Sequence, residues 1–523
     1  MSENSDIWLV PTSWSWSLLS NIGEVVAGGT PSSKEPSYWG GDINWISPAD
    51  LTGYSRKTIA KGNKSLTPEG LKNSSAKVMP SGSIHFSSRA PIGYVVISAE
   101  PMSTNQGFKS LVPARGIFNG YVYFYLKASK QLAEKRASGT TFLELSGKAF
   151  SMLPIPIPPL NEQKRIVAKI EELFSELDKG IESLQTAREQ LKVYRQAVLK
   201  HAFEGKLTEQ WRKDNADKLE SPEQLLARIQ QERDARYQQQ LEDWKTAVKE
   251  WEANGKEGKK PGKPAKPKEL KAVSVADFEV PSKWAISELG LTAYESVLGK
   301  MLDKQKNIGE DRPYLGNINV RWGRFEIDEL KTMKIEEAEE ARYSLVDGDL
   351  VICEGGEPGR CAVWSGEDGV IFIQKALHRV RFTASYLPEF AYYYLTYSVP
   401  LERVVKHFTG TTIKHLTGAG LSKVHLPICS AVEQREIVSI IESKLSEIDA
   451  LNHELEMQLT KAETLRQSIL KKAFSGQLVP QDPKDESASE LLARIQAEKA
   501  ALSTKTNKTP AKRARRVKEV SDV

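Results

Sequence analysis

The sequence predicts a mixed α/β (α+β) chain in which two globular parts each lead into one long helix, the whole forming an internal repeat. Three observations predict it. Residues 138–178 fall without a gap on 409–449, at an offset of 271 residues, and 17 of 41 positions are identical. Apolar residues then recur every seven positions in both copies, the spacing of a helix that buries a narrow seam. Ahead of each helix lie short β-like runs broken by turn dipeptides.

Length and charge bound the rest. At about 150 residues per domain, 523 residues give a prior of three to four domains. Lys and Arg exceed Asp and Glu by only 5, so an affinity for polyanions would come from clustering rather than from the mean field. No 18-residue apolar stretch exists, which predicts no membrane span. The start MSENSDIWLVPTSWSW lacks the basic and apolar regions of a secretory leader, so a cytoplasmic chain is expected. Cys353, Cys361 and Cys429 are odd in number and confined to one half. They suit a reducing compartment, read as small buried residues, and are too few for a cysteine zinc site. The seven histidines show no metal-ligand spacing, and no metal is expected.

The first globular part spans 1–160 and the second 280–430. The runs YVVIS (94–98), DLVIC (349–353), GVIFI (369–373) and HRVRF (378–382) read as strands, and 121–136 and 387–406 as short aromatic helices. Weaker likenesses also pair VPTSWSW (10–16) with VPSKWAI (280–286), and YVYFYL with FAYYYL. The first long helix is 161–207. Pro158 and Pro159 precede it, Asn161 is its expected N-cap, and Ile170, Leu177, Leu184, Leu191 and Val198 keep the seven-residue period, with Tyr194 widening the stripe. The second is 431–478. Ser430 and Glu433 fit a capping box, and Ile441, Ile448, Leu455, Ala462 and Ile469 repeat beside Leu445, Leu451, Leu459 and Leu465. At about 1.5 Å per residue each helix reaches roughly 70 Å, too long to bury its stripe alone. Gly205 and Gly476 stop the two at the same place.

Between them, 208–279 holds a further helix and a linker. Ser221-Pro222-Glu223-Gln224 combines a capping box with proline at the first helical position, and Tyr237, Leu241, Trp244, Val248 and Trp251 give that helix an apolar face. The Lys/Pro/Gly-rich run 254–271 reads as a solvated linker. Residues 479–523 repeat the start of that helix (QLLARIQQE at 224–232, ELLARIQAE at 490–498) and end in a basic tail expected to be disordered.

Catalytic signatures do not appear. There is no [DNS]-P-P-[YF] loop of an amino-methyltransferase, no glycine-rich S-adenosylmethionine loop after a strand, no P-loop and no nuclease carboxylate cluster. The acidic turn at Glu354 and Glu357 reads as a loop. No catalytic residue is expected in this chain.

A variable globular part, a similar helix, a second variable globular part and a second similar helix together resemble the DNA-specificity subunit of type I restriction–modification systems. The residues that carry the match are GTT (139–141 and 410–412), LNEQKRIVAKIEELFSELD (160–178) with AVEQREIVSIIESKLSEID (431–449), and LKHAFEGKL (199–207) with LKKAFSGQL (470–478). The resemblance implies two target recognition domains, separated by the long helices packed as an antiparallel coiled coil with pseudo-two-fold character. It implies double-stranded DNA as ligand, read as an asymmetric bipartite site. It also implies two modification (methyltransferase) subunits and two restriction (translocase and nuclease) subunits as partners. S-adenosylmethionine, ATP and Mg then belong to those partners and no cofactor to this chain. The Lys-rich run after 252 is a departure from the pattern.

A DNA reader needs cations for phosphates and amides or Arg for base edges. Candidates in the first globular part are Arg56, Lys57, Lys61, Lys64, Arg89, Asn105, Gln106, Lys109, Thr140 and Thr141. In the second they are Arg321, Arg324, Arg360, Gln374, Lys375, His378, Lys406, Thr411, Thr412, Lys414 and His415. The threonines of the GTT triplets either donate to phosphate or form a turn that positions the chain. At the helix starts Glu162, Gln163 and Arg165 recur as Glu433, Gln434 and Arg435; they either cap the helix or dock a modification subunit. Phe203 and Phe474 at the far ends are a second docking element, a closure element or a plain helix stop. A coiled-coil scaffold joining two protein partners without DNA readout is the alternative function. A fused enzyme is a third, disfavoured by the missing motifs.

Overall fold

The computed structural model describes residues 9–139, 143–258, 260–275, 278–303, 305, 307–401 and 403–506. Two compact units divide the chain, Met1–Gln185 with Glu456–Val523 and Thr186–Leu455. Neither unit is one sequence repeat. Each holds one globular part, the start of the long helix that follows it and the end of the other long helix.

In the first unit the main sheet runs in the order Gly23–Ala27, Phe108–Pro113, Ile84–Ser87, Val95–Ser98, Thr58–Ile59. Its pairs are antiparallel except the last. Ile84–Ser87 and Val95–Ser98 are buried along their whole length. The aromatic helix Asn119–Ala128 covers them, with Tyr121 through Leu126 all buried. A three-stranded sheet, Lys64–Leu66, Trp39–Ile46 and Ser103–Thr104, lies alongside. A two-stranded ribbon pairs Ser15–Leu18 with Pro154–Ile157, Ser15 opposite Ile157.

The second unit repeats this plan. Its main sheet runs Ala293–Leu298, Leu377–Phe382, Leu350–Cys353, Cys361–Val363, and its side sheet Lys331–Ile335, Glu310–Leu315, Phe372–Ile373. Ala285 stands opposite Ile428 in the ribbon, as Ser15 does opposite Ile157. A hairpin, Val320–Arg321 with Arg324–Phe325, is added. Strands form at Val95–Ser98, Leu350–Cys353 and Leu377–Phe382 as predicted, but of 369–373 only Phe372–Ile373 is strand. The first aromatic helix divides into Asn119–Ala128 and Lys130–Lys135, and the second spans Pro388–Ser398.

The long helices are Leu160–Phe203 and Ala431–Phe474, 44 residues each. Within the first unit Arg466 lies over the Phe174 ring at 5.0 Å and pairs with Asp178, while Ile166 and Ile170 share a core with Ile469, Leu470 and Phe474. Numbers rise along one stretch as they fall along the other, so the two are antiparallel. Within the second unit Arg195 pairs with Asp449 at 2.7 Å, and Val198, Leu199 and Phe203 share a core with Ile437 and Ile441, which gives the same sense. Ile170, Val198, Ile441, Ile448 and Ile469 are buried. Leu177, Leu184, Leu191, Leu455 and Ala462 are half-buried. Tyr194, Leu451 and Leu465 do not join the stripe; they are 46%, 54% and 49% exposed. A pair of helices covers only the narrow a/d seam.

The caps differ from expectation. The first long helix starts at Leu160, so Asn161 is already inside the first turn and donates to Asp485 Oδ1 at 3.1 Å. At the second, the Glu433 amide donates to Ser430 Oγ at 3.2 Å, but the Glu433 carboxylate turns elsewhere and only half a capping box forms. Gly205 and Gly476 end the helices with φ of +69° and +73°, where a side chain is strained.

The segment after each long helix packs within the unit that its end belongs to. Pro222–Ala253 is a helix with the full Ser221–Gln224 capping box, anchored by Leu225 and Ile229 in the second unit's core. Ala488–Thr506 is its counterpart, anchored by Leu491 and Ile495 in the first. Arg228 pairs with Glu220, and Arg494 with Glu486, each eight residues back. Residues 254–271 are not a free linker: Trp244 and Trp251 donate to Pro261 and Gly258 carbonyls at 3.0 and 3.3 Å and hold the run against the helix. The basic end of the tail, and Thr140 and Thr141, lie outside the described residues. Among the described residues no helix is long and apolar enough to cross a membrane, and no cluster could hold a metal ion.

Candidate nucleic-acid interface

Four loops meet at one end of each main sheet, and the backbone dictates that they meet. In the first unit the Ser88 amide donates to Gly107 O at 2.7 Å, Leu145 donates to Ser88 O at 2.9 Å, and Ser138 and Glu144 bond each other. In the second unit Glu354 donates to Ala376 O at 2.8 Å, Leu416 donates to Glu354 O at 2.7 Å, and Thr409 and His415 bond each other. The fourth loop follows the edge strand: Gly29 donates to Thr104 O at 2.8 Å, and Lys300 to Ile373 O at 3.0 Å. Gly28 and Gly299 enter this crossing because a Cβ there would lie 1.8 Å from Asn105 O and 2.4 Å from Gln374 O. Gly139 and Gly410 have φ of +127° and +92°, so the glycine of GTT serves a turn.

The side chains mounted on these loops differ between the units. In the first, Glu144 joins two of the predicted cations: Arg89 at 3.3 Å and Lys109 at 3.2 Å. Lys109 is buried and also donates to Ser88 Oγ and Gln106 O, at 3.2 and 3.1 Å. It is scaffold rather than a surface cation. Asn105 is likewise used internally, accepting from the Gly107 amide at 2.9 Å. Gln106 accepts from the Thr30 hydroxyl. In the second unit Arg360 pairs with Glu357 at 2.8 Å and donates to Asn317 O at 2.7 Å, leaving its side chain 14% exposed. His378 is buried, with Nε2 at 2.8 Å from Leu416 O. Burial holds its pKa below the ordinary histidine value. It pins the 409–416 loop as a neutral group and is no surface reader. Lys375, Thr411, Thr412 and Lys414 are exposed on the same loops.

The side sheets extend this surface. Trp45 donates to Gly29 O at 3.0 Å. Exposed Lys64 lies over the Trp39 ring at 5.3 Å, and Arg56 and Lys61 are exposed nearby in sequence. Lys57 is drawn away: it pairs with Glu171 of the first long helix at 2.6 Å and lies over the Phe124 ring. In the second unit the added hairpin sits on the loops, with Trp322 donating to Glu357 Oε1 at 2.8 Å. Arg321 is tied to Glu326 at 2.8 Å, and Arg324 is exposed. Trp322, Glu144 and Asn317 were not predicted, and Glu357 was read only as part of an acidic loop. Of the first three, Trp322 carried a sequence signal, standing between two arginine-bearing positions in RWGR.

The residues predicted to dock a partner are mostly inside. Gln163 accepts from the Phe118 amide at 2.8 Å and donates to Pro158 O at 3.0 Å. Gln434 repeats this with the Leu387 amide at 2.7 Å and Cys429 O at 2.7 Å. Glu433 accepts from Thr208, Arg212 and Trp284 at 2.8, 2.8 and 2.9 Å. Glu162 accepts from Gln481 at 3.3 Å, and desolvation raises its pKa above the usual carboxylate range. Phe203 is caged by Phe390, Tyr394 and Tyr397, and Phe474 by Tyr121 and Tyr125. These six close the units and are not free for another chain. Arg165 pairs with Asp485 at 2.8 Å, and Arg435 is exposed.

The family model for the type I restriction modification DNA specificity domain matches residues 11–186 and 319–461. The MjaIX specificity subunit of Methanocaldococcus jannaschii is 36% identical over 203 residues, 38% of this chain and 46% of that one. The EcoKI specificity subunit of Escherichia coli is 24% identical over 94% of this chain and 97% of its own length. Among solved structures, the HsdS subunit of Thermoanaerobacter tengcongensis superposes with a TM-score of 0.54 at 17% identity, over 91% of this chain and all of that one. A structure described as the basis of complex assembly and conformational transition of the type I R-M system does so with 0.62 at 17% identity, over 90% of this chain and all of that one. The chain therefore belongs to the type I restriction modification DNA specificity domain family.

Proposed function

We propose that the two units read the two halves of an asymmetric bipartite site in double-stranded DNA, and that the chain directs partners that carry the chemistry. The observation that carries this reading is the recurrence of one loop hydrogen-bond frame under two unlike sets of side chains. A repeated scaffold with different exposed groups suits two different half-sites, since phosphate contacts position a protein and side chains at base edges specify. Exposed Lys375, Lys414 and Lys64 supply phosphate contacts. Gln106, Thr411 and Thr412 supply donors and acceptors of the kind that distinguish bases. The long helices act as an antiparallel coiled coil, related by pseudo-two-fold repetition, that sets the unread spacer.

Two modification subunits and two restriction subunits complete this reading. They hold S-adenosylmethionine, ATP and Mg, and this chain contributes no catalytic group. A scaffold that joins two proteins without DNA readout gains nothing from two different loop surfaces. The deciding experiment maps methylated bases across the host genome with the gene present and deleted. Disappearance of one bipartite adenine-methylation motif is expected and would supply both half-sites. An unchanged methylome, in a host whose methyltransferase partner is expressed and bound, sinks the reading.

A further inference from the structure

Residues 254–271 contain seven lysines against two glutamates. Their net +5 equals the formal charge of the whole chain, so the rest of the chain sums to neutral. Three Lys-Pro pairs stand in it at three-residue intervals: Lys260-Pro261, Lys263-Pro264 and Lys266-Pro267. Proline fixes its own φ and keeps the residue before it extended. Repeated every third position, it favours the polyproline II ribbon, with three residues per turn and about 3.1 Å rise per residue.

Burial follows that period. Pro261, Pro264 and Pro267 are half-buried, Leu270 is buried, and Lys260, Lys263 and Lys266 are exposed. The buried edge is tied to the helix Pro222–Ala253. Besides the two tryptophan contacts, Arg233 donates to Lys268 O and Leu270 N donates to Gln230 Oε1, both at 2.9 Å. The Lys263 and Lys260 ammoniums lie 5.9 and 5.7 Å from the Trp244 and Trp251 ring centres. The helix is itself fixed to the second unit, with Arg236 over the Tyr294 ring at 3.8 Å. A spacer would need none of these contacts.

We propose that this ribbon is a phosphate-backbone contact for duplex DNA, separate from the loop surfaces and without sequence preference. Its ammonium groups recur about every 9 Å on a strip ordered before binding, so little freedom is lost on engagement. Lysine offers point charges without a planar fork, and the exposed edge between them carries only Gly262 and Ala265. An acidic protein surface is the less suited occupant, because protein interfaces are built around aromatic and Arg anchors and are poor in Lys.

The inference rests on the proposed DNA reading, and its test separates the two. The full chain, assembled with its methyltransferase partners, is titrated with a duplex carrying the site and with one lacking it, from 50 to 200 mM salt. The triple variant Lys260→Gln, Lys263→Gln, Lys266→Gln is expected to lower the log–log salt slope by about 2.7 on both duplexes. The loss of affinity across that salt range then shrinks by about 40-fold, while preference for the site is kept. The matching Lys→Arg triple should restore the slope. An unchanged slope with preference intact overturns the ribbon proposal and leaves the functional reading standing. An unchanged slope with loss of bound partner subunits also overturns it, assigning the ribbon to a protein. A wild-type assembly that binds both duplexes alike overturns the functional reading, and the slope still decides the ribbon.

Discussion

Gln163 and Gln434 do the same work in the two units, whereas Glu162 and Glu433 beside them do not. Each glutamine bridges the turn before its helix to the start of the aromatic helix, through the Phe118 or Leu387 amide. Those partners are backbone groups, so any side chains around them leave the arrangement intact. The glutamates instead meet the segment that follows the other long helix. In the second unit that segment offers Thr208 and Arg212. At the equivalent offset of 271 the first unit has Val479 and Pro483, and Gln481 reaches Glu162 instead. The first unit adds Asp485, which binds Asn161 and Arg165. An identical residue pair thus closes one unit with a buried ion pair and the other with a neutral amide plus a peripheral ion pair. Recurrence in sequence marks a shared position, and the partner decides what the residue does there.

The sharpest way to break this comparison is to neutralise both glutamates. Glu433→Gln leaves the Arg212 guanidinium, whose side chain is 12% exposed, without a carboxylate. Removing one partner of a buried pair costs about 3–5 kcal/mol. Glu162→Gln removes a carboxylate that faces an amide, and a change under about 0.5 kcal/mol is expected at neutral pH. Hydrogen exchange at the core amides of each unit reads the two losses separately. Equal losses would mean that the closures are equivalent after all. Replacing Arg212 as well, by Met, should return part of the loss.

Much of this was legible beforehand, and the failures share one cause. The seven-residue repeats, the helix stops and the Ser221–Gln224 box depend on neighbours close in sequence and formed, although Tyr194, Leu451 and Leu465 beside the repeats stay exposed. Recurrence of Glu-Gln was visible too, but the reading set capping against docking and left out closure. Closure requires residues such as Gln481 and Thr208, more than 200 positions away. The same holds for Lys109 and His378, whose polar types suggested a surface but whose strands run through the core. The Lys/Pro run is mostly exposed, as its composition indicates, while its three-residue period marks the edge that packs.

A second test sharpens the similarity rather than the difference. Gly205 and Gly476 both meet a proline of the unit's own VP-x-x-W motif. A Cβ on Gly205 would lie 2.2 Å from Pro281 Cγ, and one on Gly476 2.3 Å from Pro11 Cγ. Positive φ adds roughly 1 kcal/mol of strain for alanine, and the clash adds to it. Gly205→Ala and Gly476→Ala should therefore each cost about 1–2 kcal/mol, equally in the two units by the same exchange measurement. A cost confined to one unit would show that only one closure depends on this approach.

The smallest expected effect is a difference in pH response. Desolvation raises the Glu162 pKa, with Gln481 and Trp14 only partly offsetting it. A carboxyl raised on folding binds its proton more tightly in the folded unit. Its contribution is full below the unfolded value, near 4.3, and is lost as pH rises through the folded value. Asp485 runs the other way: its hydrogen bond from Arg165 lowers its pKa, so its contribution is present above about 3.9 and is lost as pH falls further. The two act in adjoining windows, and only the upper one belongs to Glu162. Glu162→Gln should flatten the fall in the first unit's stability that begins above about pH 4.3 and leave its acid limb unchanged. The second unit's profile over that window should not respond to this substitution. A flattened acid limb instead would move the titration from Glu162 to the Arg165–Asp485 pair.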